Sequence, residues 1–379
     1  MITKQAQEIK PFLAMEILER AQELERQGEE IIHLELGEPD FPTPLCIQEA
    51  ALKALKEGRT KYTHSQGTLE LREAICEHYH DKYQVKVSPD QVLVTAGISP
   101  AMWLIFSALL EPGEEVIFSN PHYACYPNFV RFAGGVPAFV EVYEEDGFQL
   151  DPQAIRERIG PKTKAVLINS PANPTGTVLS AERMQAIADL SFGGAQDKSP
   201  WIISDEIYHG LVYEGRERSI LEFTDRAIVL NGFSKAYAMT GWRLGYVIAP
   251  KDLICPLQKM HQNFFISASD FVQAAGVAAL REAHEDVERM RRIYNERRRF
   301  LIKGLFEVRL RDPGKGQGRG GTGDRLRCER RGLSPLLLRQ LSGEPRRGPE
   351  ADRRFPQGKH LALSDQRSAK NSSKFNVKP

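Results

Sequence analysis

Seven short apolar runs recur between about residues 91 and 248, and helical stretches separate most of them. They begin at Gln91, Glu115, Val136, Ala165, Trp201, Ala227 and Leu244. Runs such as Val-Leu-Val-Thr after Gln91 and Trp201 to Ser204 are apolar without alternation. Strands buried on both faces read this way, and crossover helices between them make the neighbours parallel. The sequence therefore predicts an α/β fold around a mainly parallel seven-stranded sheet. In open sheets of this kind ligands bind beyond the carboxyl ends of the strands. The residues that leave each run are accordingly the candidates for chemistry.

The run from Ala227 to Leu230 feeds Asn231-Gly-Phe-Ser-Lys-Ala-Tyr-Ala-Met-Thr-Gly-Trp-Arg-Leu-Gly-Tyr246. Lys235 stands among small and apolar residues, which disfavour an ammonium and favour a nucleophilic amine. Ser234 beside it and Arg243 eight positions on are the hydroxyl and guanidinium that a phosphate monoester needs. A neutral amine condenses with an aldehyde, and an aldehyde that carries a phosphate describes pyridoxal phosphate (PLP). A snorkelling core lysine with a structural arginine is the bland alternative.

Other runs end in matching chemistry. Ala96-Gly97-Ile98-Ser99 follows a strand and opens a helix, so free N–H groups and the helix dipole face an anion there. It is equally an ordinary strand-to-helix turn. Asn120-Pro-His-Tyr123 places an aromatic at a strand end, either as core or as a stacking surface for a flat ring. Asn169-Ser-Pro-Ala-Asn-Pro-Thr-Gly176 is a rigid turn that fixes an asparagine amide. Asp205, at the end of a fully apolar strand, needs a partner. A protonated pyridine nitrogen suits it, and so does a helix N-cap role. Gly37-Glu-Pro-Asp-Phe-Pro-Thr-Pro44 is a Gly/Pro-rich loop whose glycine lets backbone approach a ligand.

In this order the motifs resemble the fold-type I, PLP-dependent aminotransferases of class I and II, similar to the aspartate and aromatic types. The resemblance runs from the N-terminal helix to about Leu305. It implies a large lobe built on the seven-stranded sheet and a smaller lobe built from both chain ends. It implies that Lys235 forms the Schiff base, with Asp205 on the ring nitrogen and Tyr208 and Asn173 on the 3-oxygen. Tyr123 would stack on the ring. Gly97, Ile98, Ser99, Ser234 and Arg243 would hold the phosphate, as would Tyr62 reaching from a neighbouring subunit of a homodimer. Gly37, with Tyr123 and Asn173 nearby, would meet the substrate. The implied reaction moves an amino group between an L-amino acid and a 2-oxo acid. A PLP-dependent carbon–sulfur lyase and an inactive PLP-binding remnant are the alternatives.

Lys and Arg number 51 against 50 Asp and Glu, so overall charge points to neither nucleic acid nor a membrane surface. No apolar run is long enough for a bilayer, and Met1 to Lys10 lacks a signal-peptide pattern. Cys46, Cys76, Cys125, Cys255 and Cys328 are odd in number and lack metal-ligand spacing, which fits a reducing cytoplasm. The expected organisation is an N-terminal arm over 1–46, a PLP-binding domain over 47–282 and a hinge helix over 283–308. Residues 309–379 form an atypical remainder.

After Val308 the chain turns dense in Arg, Gly and Pro, and Phe355 and Phe375 are its only later aromatics. No strand alternation is evident, and Asp365 to Pro379 reads as a polar tail. Gly316 to Gly323 lacks the flanking strand and helix of a nucleotide loop. The basic pairs Arg330-Arg331 and Arg346-Arg347 read as solvated charge. Arg354-Phe355-Pro356 does not match the family's carboxylate-clamping arginine motif. The hypothesis this motivates is a departure from the ancestral reading frame near Val308. Translating the other frames past that point tests it, and failure to find aromatic, strand-patterned sequence there would end it.

Overall fold

A computed structural model describes residues 2–191, 199–311 and 360–362. The chain opens with α1 (Lys4–Glu8), α2 (Leu13–Arg26) and the short strand β1 (Ile31–His33), then α3 (Leu45–Lys56) and α4 (Leu69–Tyr83). There follow β2 (Val92–Thr95), α5 (Ile98–Leu109), β3 (Glu115–Asn120), α6 (Tyr126–Phe132) and β4 (Val136–Glu141). Next come α7 (Pro152–Arg158), β5 (Thr163–Asn169), α8 (Ala181–Ala188), β6 (Trp201–Asp205), β7 (Ala227–Gly232) and β8 (Gly245–Ile248). The described chain closes with α9 (Lys251–Phe264), α10 (Asp270–Glu282), α11 (His284–Arg311) and β9 (His360–Ala362).

Seven strands form one sheet in the order β2-β8-β7-β6-β5-β3-β4. β8 runs antiparallel to both its neighbours, and every other pairing is parallel. Alternate residues of each strand face opposite layers. Val94, Val166, Ile168, Ile202, Val229 and Ile248 pack on one side with Leu71, Ile75 and Ala275 of α4 and α10. Leu93, Leu167, Ile203, Ile228, Leu230 and Val247 pack on the other with Met102, Ile105 and Leu257 of α5 and α9. This is the expected helix–sheet–helix sandwich. It leaves Thr95, Asn120, Asn169, Asp205 and Gly232 along one edge, at the carboxyl ends of parallel strands.

Local chemistry sets the helix starts. Thr68, Asp151 and Ser180 each accept a backbone N–H in the first turns of α4, α7 and α8. α5 begins at Ile98, capped by Gly97 at φ +88°. β1 stops at His33, where the chain bends into the Gly/Pro loop. α11 continues to Arg311, past the expected end of the hinge helix.

Among the described residues beyond Val308, β9 pairs in parallel with β1. Three residues are too few to show alternation in sequence. The remaining features noted there lie outside the described residues: Cys328, the Gly316 to Gly323 run, the two basic pairs, Arg354-Phe355-Pro356 and the polar tail. Among the described residues no helix is long and apolar enough to cross a membrane. None of their His, Cys, Asp and Glu side chains form groups of three or more that could hold a metal ion.

Candidate active site

β6 and β7 are neighbours in the middle of the sheet, and their carboxyl ends deliver Asp205 and the loop that carries Lys235. The Lys235 Nζ donates to the Gly37 carbonyl at 2.7 Å, which joins two motifs 198 residues apart. Asp205 is 2 % exposed. Burial pushes its carboxyl up to about 6, against the Tyr126 hydrogen bond, the Ile207 N–H and the positive charge of Lys235. The Tyr126 hydroxyl donates to Oδ2 at 2.7 Å and the Ile207 amide to Oδ1 at 3.1 Å. The Asp205 carboxylate thus turns one oxygen to its own following turn and the other to a buried phenol.

Asn173 and Tyr208 meet directly. The Asn173 amide donates to the Tyr208 hydroxyl at 3.2 Å. Asn169 holds that asparagine in place: its Oδ1 accepts the Asn173 N–H at 2.7 Å, and its Nδ2 donates to the Asp205 carbonyl at 2.9 Å. Burial pushes the Tyr208 phenol up, with a further push from the Asp205 charge and a relief from Asn173. The Tyr208 proton therefore stays on oxygen at neutral pH, available to an acceptor.

The turn into α5 is shaped by two glycines. A Cβ on Gly97 would stand 2.5 Å from Arg243 Nη2, so the guanidinium lies directly against that backbone. A Cβ on Gly245 would stand 2.9 Å from both Gly97 C and Ile98 N. Arg243 is itself held at φ +54°, and its Nη1 donates to the Thr240 carbonyl at 3.1 Å. Arg243 and Ser99 are exposed, and Ile98 and Ser234 half-buried. The N-terminal amides of α5 and the Arg243 guanidinium thus lie together at one positive turn, the chemistry a phosphate requires.

Tyr123 is half-buried and meets Tyr126 edge-on at 5.3 Å and Phe12 at 5.9 Å. Burial pushes its phenol up, so its proton stays on oxygen at neutral pH. Tyr62 stands apart: it is 85 % exposed and meets none of the others within this chain.

Sequence reasoning missed two residues. Tyr126 sits three positions after Tyr123 in a stretch read only as a strand end, although an aromatic on the first turn of α6 is well placed to reach β6. Asn169 was noted only as the start of the turn motif.

These side chains can hold a phosphorylated pyridine aldehyde. They offer an amine, a buried carboxylate for the ring nitrogen, a paired amide and phenol, and a glycine cradle that a Cβ would fill. The fold and this site define a PLP-dependent enzyme of fold type I. A family model described as aminotransferase class I and II matches residues 29–314. The chain is 43% identical over 307 residues to (5-formylfuran-3-yl)methyl phosphate transaminase of Methanocaldococcus jannaschii, covering 80% of this chain and 79% of that one. It is 39% identical over 314 residues to aspartate/prephenate aminotransferase of Thermus thermophilus, covering 82% and 80%. The solved structure of aspartate aminotransferase from Thermus thermophilus with maleate superposes with a TM-score of 0.78, at 39% identity and 81% of each chain. The chain belongs to the class I and II aminotransferases. It is a PLP-dependent aminotransferase of the aspartate/aromatic type.

Proposed function

We propose that Lys235 is the covalent anchor of the cofactor and the group that moves the proton at the substrate Cα. The observation that carries this is the Lys235 amine at 2.7 Å from the Gly37 carbonyl, in the loop that leaves the strand next to the one ending in Asp205. Bound PLP supplies an electron sink for the electrons released at that carbon. The chain supplies the rest. Asp205, kept partly anionic by Tyr126 and Ile207, would pair with the ring nitrogen. Asn173 and Tyr208 would present an N–H and an O–H to the 3-oxygen. Tyr123 would cover the ring. The Gly97, Ile98 and Ser99 turn, Ser234 and Arg243 would neutralise the phosphate. Gly37 borders the substrate space, and Tyr123 and Asn173 line it. Freed from the cofactor, the Lys235 Nζ takes a proton at one site and returns it at another, which is general acid/base work.

The substrates under this reading are an L-amino acid and a 2-oxo acid. Aspartate figures in the name of one relative given above and in the matching structure, so a dicarboxylic pair is the first to test. Tyr62 completes the phosphate site of a second copy. Its segment is tied to that of Ile266 through the Thr63 N–H on Ser267 Oγ at 3.3 Å. Exposed Tyr62, Phe264 and Ile266 supply the apolar surface a homodimer buries. The near-neutral charge and dispersed thiols support a cytoplasmic enzyme with no nucleic-acid or membrane partner. The division into an arm over 1–46, a cofactor domain over 47–282, a hinge over 283–308 and an atypical 309–379 accords with a family match that ends at 314.

Borohydride reduction of the PLP-loaded protein, followed by peptide mass mapping, tests the central assignment. A phosphopyridoxyl group on Lys235 is expected. The same group on another lysine, with Lys235 unmodified, overturns it.

A further inference from the structure

The loop Gly37-Glu-Pro-Asp-Phe-Pro-Thr43 touches the lysine loop at both ends and α11 in the middle. At its start the Gly37 carbonyl accepts from Lys235 Nζ at 2.7 Å, and the Glu38 carboxylate accepts from Thr240 Oγ1. At its close Thr43 Oγ1 donates to the Ala238 carbonyl at 2.6 Å and accepts from Trp242 Nε1 at 3.0 Å. Between them, Asp40 Oδ1 pairs with Arg297 Nη1 at 2.8 Å. Phe41 meets Tyr294 edge-on at 5.1 Å, and the Arg297 guanidinium lies 5.0 Å from the Phe41 ring centre. The side chain of Arg297 is only 11% exposed and that of Asp40 24%. Water therefore screens this pair less than a surface pair.

Two prolines, Pro39 and Pro42, fix φ on either side of Asp40 and stiffen the strap. A displacement at Asp40 is thus carried three residues to Gly37 instead of being absorbed. The Arg297 guanidinium donates through Nη1 to the carboxylate while its plane lies against an aromatic ring, a combination of edge and face that a lysine ammonium lacks.

We propose that Asp40 and Arg297 are positioning residues for the Lys235 amine, acting through the Gly37 carbonyl. The helix α11 then sets where the amine rests when it is not joined to the cofactor. This deepens the role given above to Lys235 and rests on it.

The test uses the full chain, stripped of cofactor and loaded. In stripped protein, amine-selective acylation is followed by mass spectrometry, and Lys235 labelling is divided by that of exposed Lys53 on α3. In the wild type the ratio is expected well below one. In D40N and in R297K it should rise about three- to ten-fold, and the double variant should match the single ones, since both act on one strap. R289K, which alters the exposed Arg289–Asp286 pair of the same helix, should leave the ratio unchanged. In loaded enzyme D40N and R297K should lower kcat about ten-fold with KM within about two-fold, the pattern of a misplaced catalytic group. A wild-type ratio near one overturns the proposal. So does a ratio within two-fold of wild type in both variants, whatever their thermal midpoints, or a ratio raised equally by R289K. Failure of the cofactor reading shows separately, as a loaded wild type without PLP on Lys235, and leaves the labelling ratios readable.

Discussion

Replacing Tyr126 with Phe removes one hydroxyl and leaves Asp205 Oδ2 without its 2.7 Å donor, while Ile207 keeps Oδ1. A hydrogen bond to a charged group contributes about 1.5–3 kcal/mol, and one between neutral groups about 0.5–1.5 kcal/mol. The difference falls on the ionised form, so the carboxyl, already pushed up to about 6 by burial, should rise further. At about 1.4 kcal/mol per pH unit the new midpoint is about 7. The folded value lies above the ordinary carboxylate value of about 4, so protonation favours the folded state. That contribution is full below about pH 4 and is lost as pH rises through the folded midpoint. In the wild type the loss ends near 6, and in Tyr126→Phe it continues to about 7. Denaturant unfolding of cofactor-free protein from pH 4 to 8.5 reads this directly. The cost of the substitution should be about 1 kcal/mol below pH 6 and about 2 kcal/mol at pH 8. A cost that stays constant across this range would show that Tyr126 does not tune Asp205, and the reasoning would fail.

Further outcomes follow from the same geometry. Lys235→Ala should abolish turnover in an oxo-acid release assay while unfolding at a similar denaturant midpoint; near-full transamination would remove Lys235 from the mechanism. Gly245→Ala drives a Cβ to within 2.9 Å of the backbone at Gly97 and Ile98. It should destabilise by about 1–3 kcal/mol and weaken PLP retention, both read by denaturation and cofactor titration, because overpacking against backbone cannot be relieved by a rotamer change. Burial pushes the His209 imidazole down to about 4. Its folded value lies below the ordinary one, so the stability it contributes is present above about pH 6.5 and falls as the unfolded imidazole protonates. Between pH 6.5 and 5 the wild type should lose about 2 kcal/mol that His209→Gln does not. Equal slopes for the two proteins would contradict this. Tyr62→Ala should leave the fold intact and weaken PLP retention several-fold; unchanged retention would separate Tyr62 from the phosphate.

The middle of the sheet was legible because its strands are buried on both faces. Runs such as Ala227 to Leu230 carry no polar residue that could mislead, and the residue leaving each run could be named in advance. The direction of β8 was not legible. Gly245–Ile248 is as buried as the parallel strands of the sheet, and its reversal depends on the tight path from Phe233 to Leu244. That path puts Ala238 and Arg243 at φ +52° and +54°, conformations that no local pattern announces for residues other than glycine. The meeting of Lys235 with Gly37 was equally hidden, since 198 residues separate them. Tyr126 was missed for a simpler reason. Its partner Asp205 lies 79 residues away, and next to Tyr123 it reads as one more core aromatic.

Visible absorbance of the PLP-loaded protein, before and after a panel of L-amino acids, tests the central claim most directly. The account predicts a cofactor band that converts to the pyridoxamine form with at least one amino acid and returns on addition of 2-oxoglutarate. A band that forms on Lys235 yet answers no amino acid with conversion, or an amino acid that releases ammonia along with its 2-oxo acid and leaves no pyridoxamine form, would contradict it.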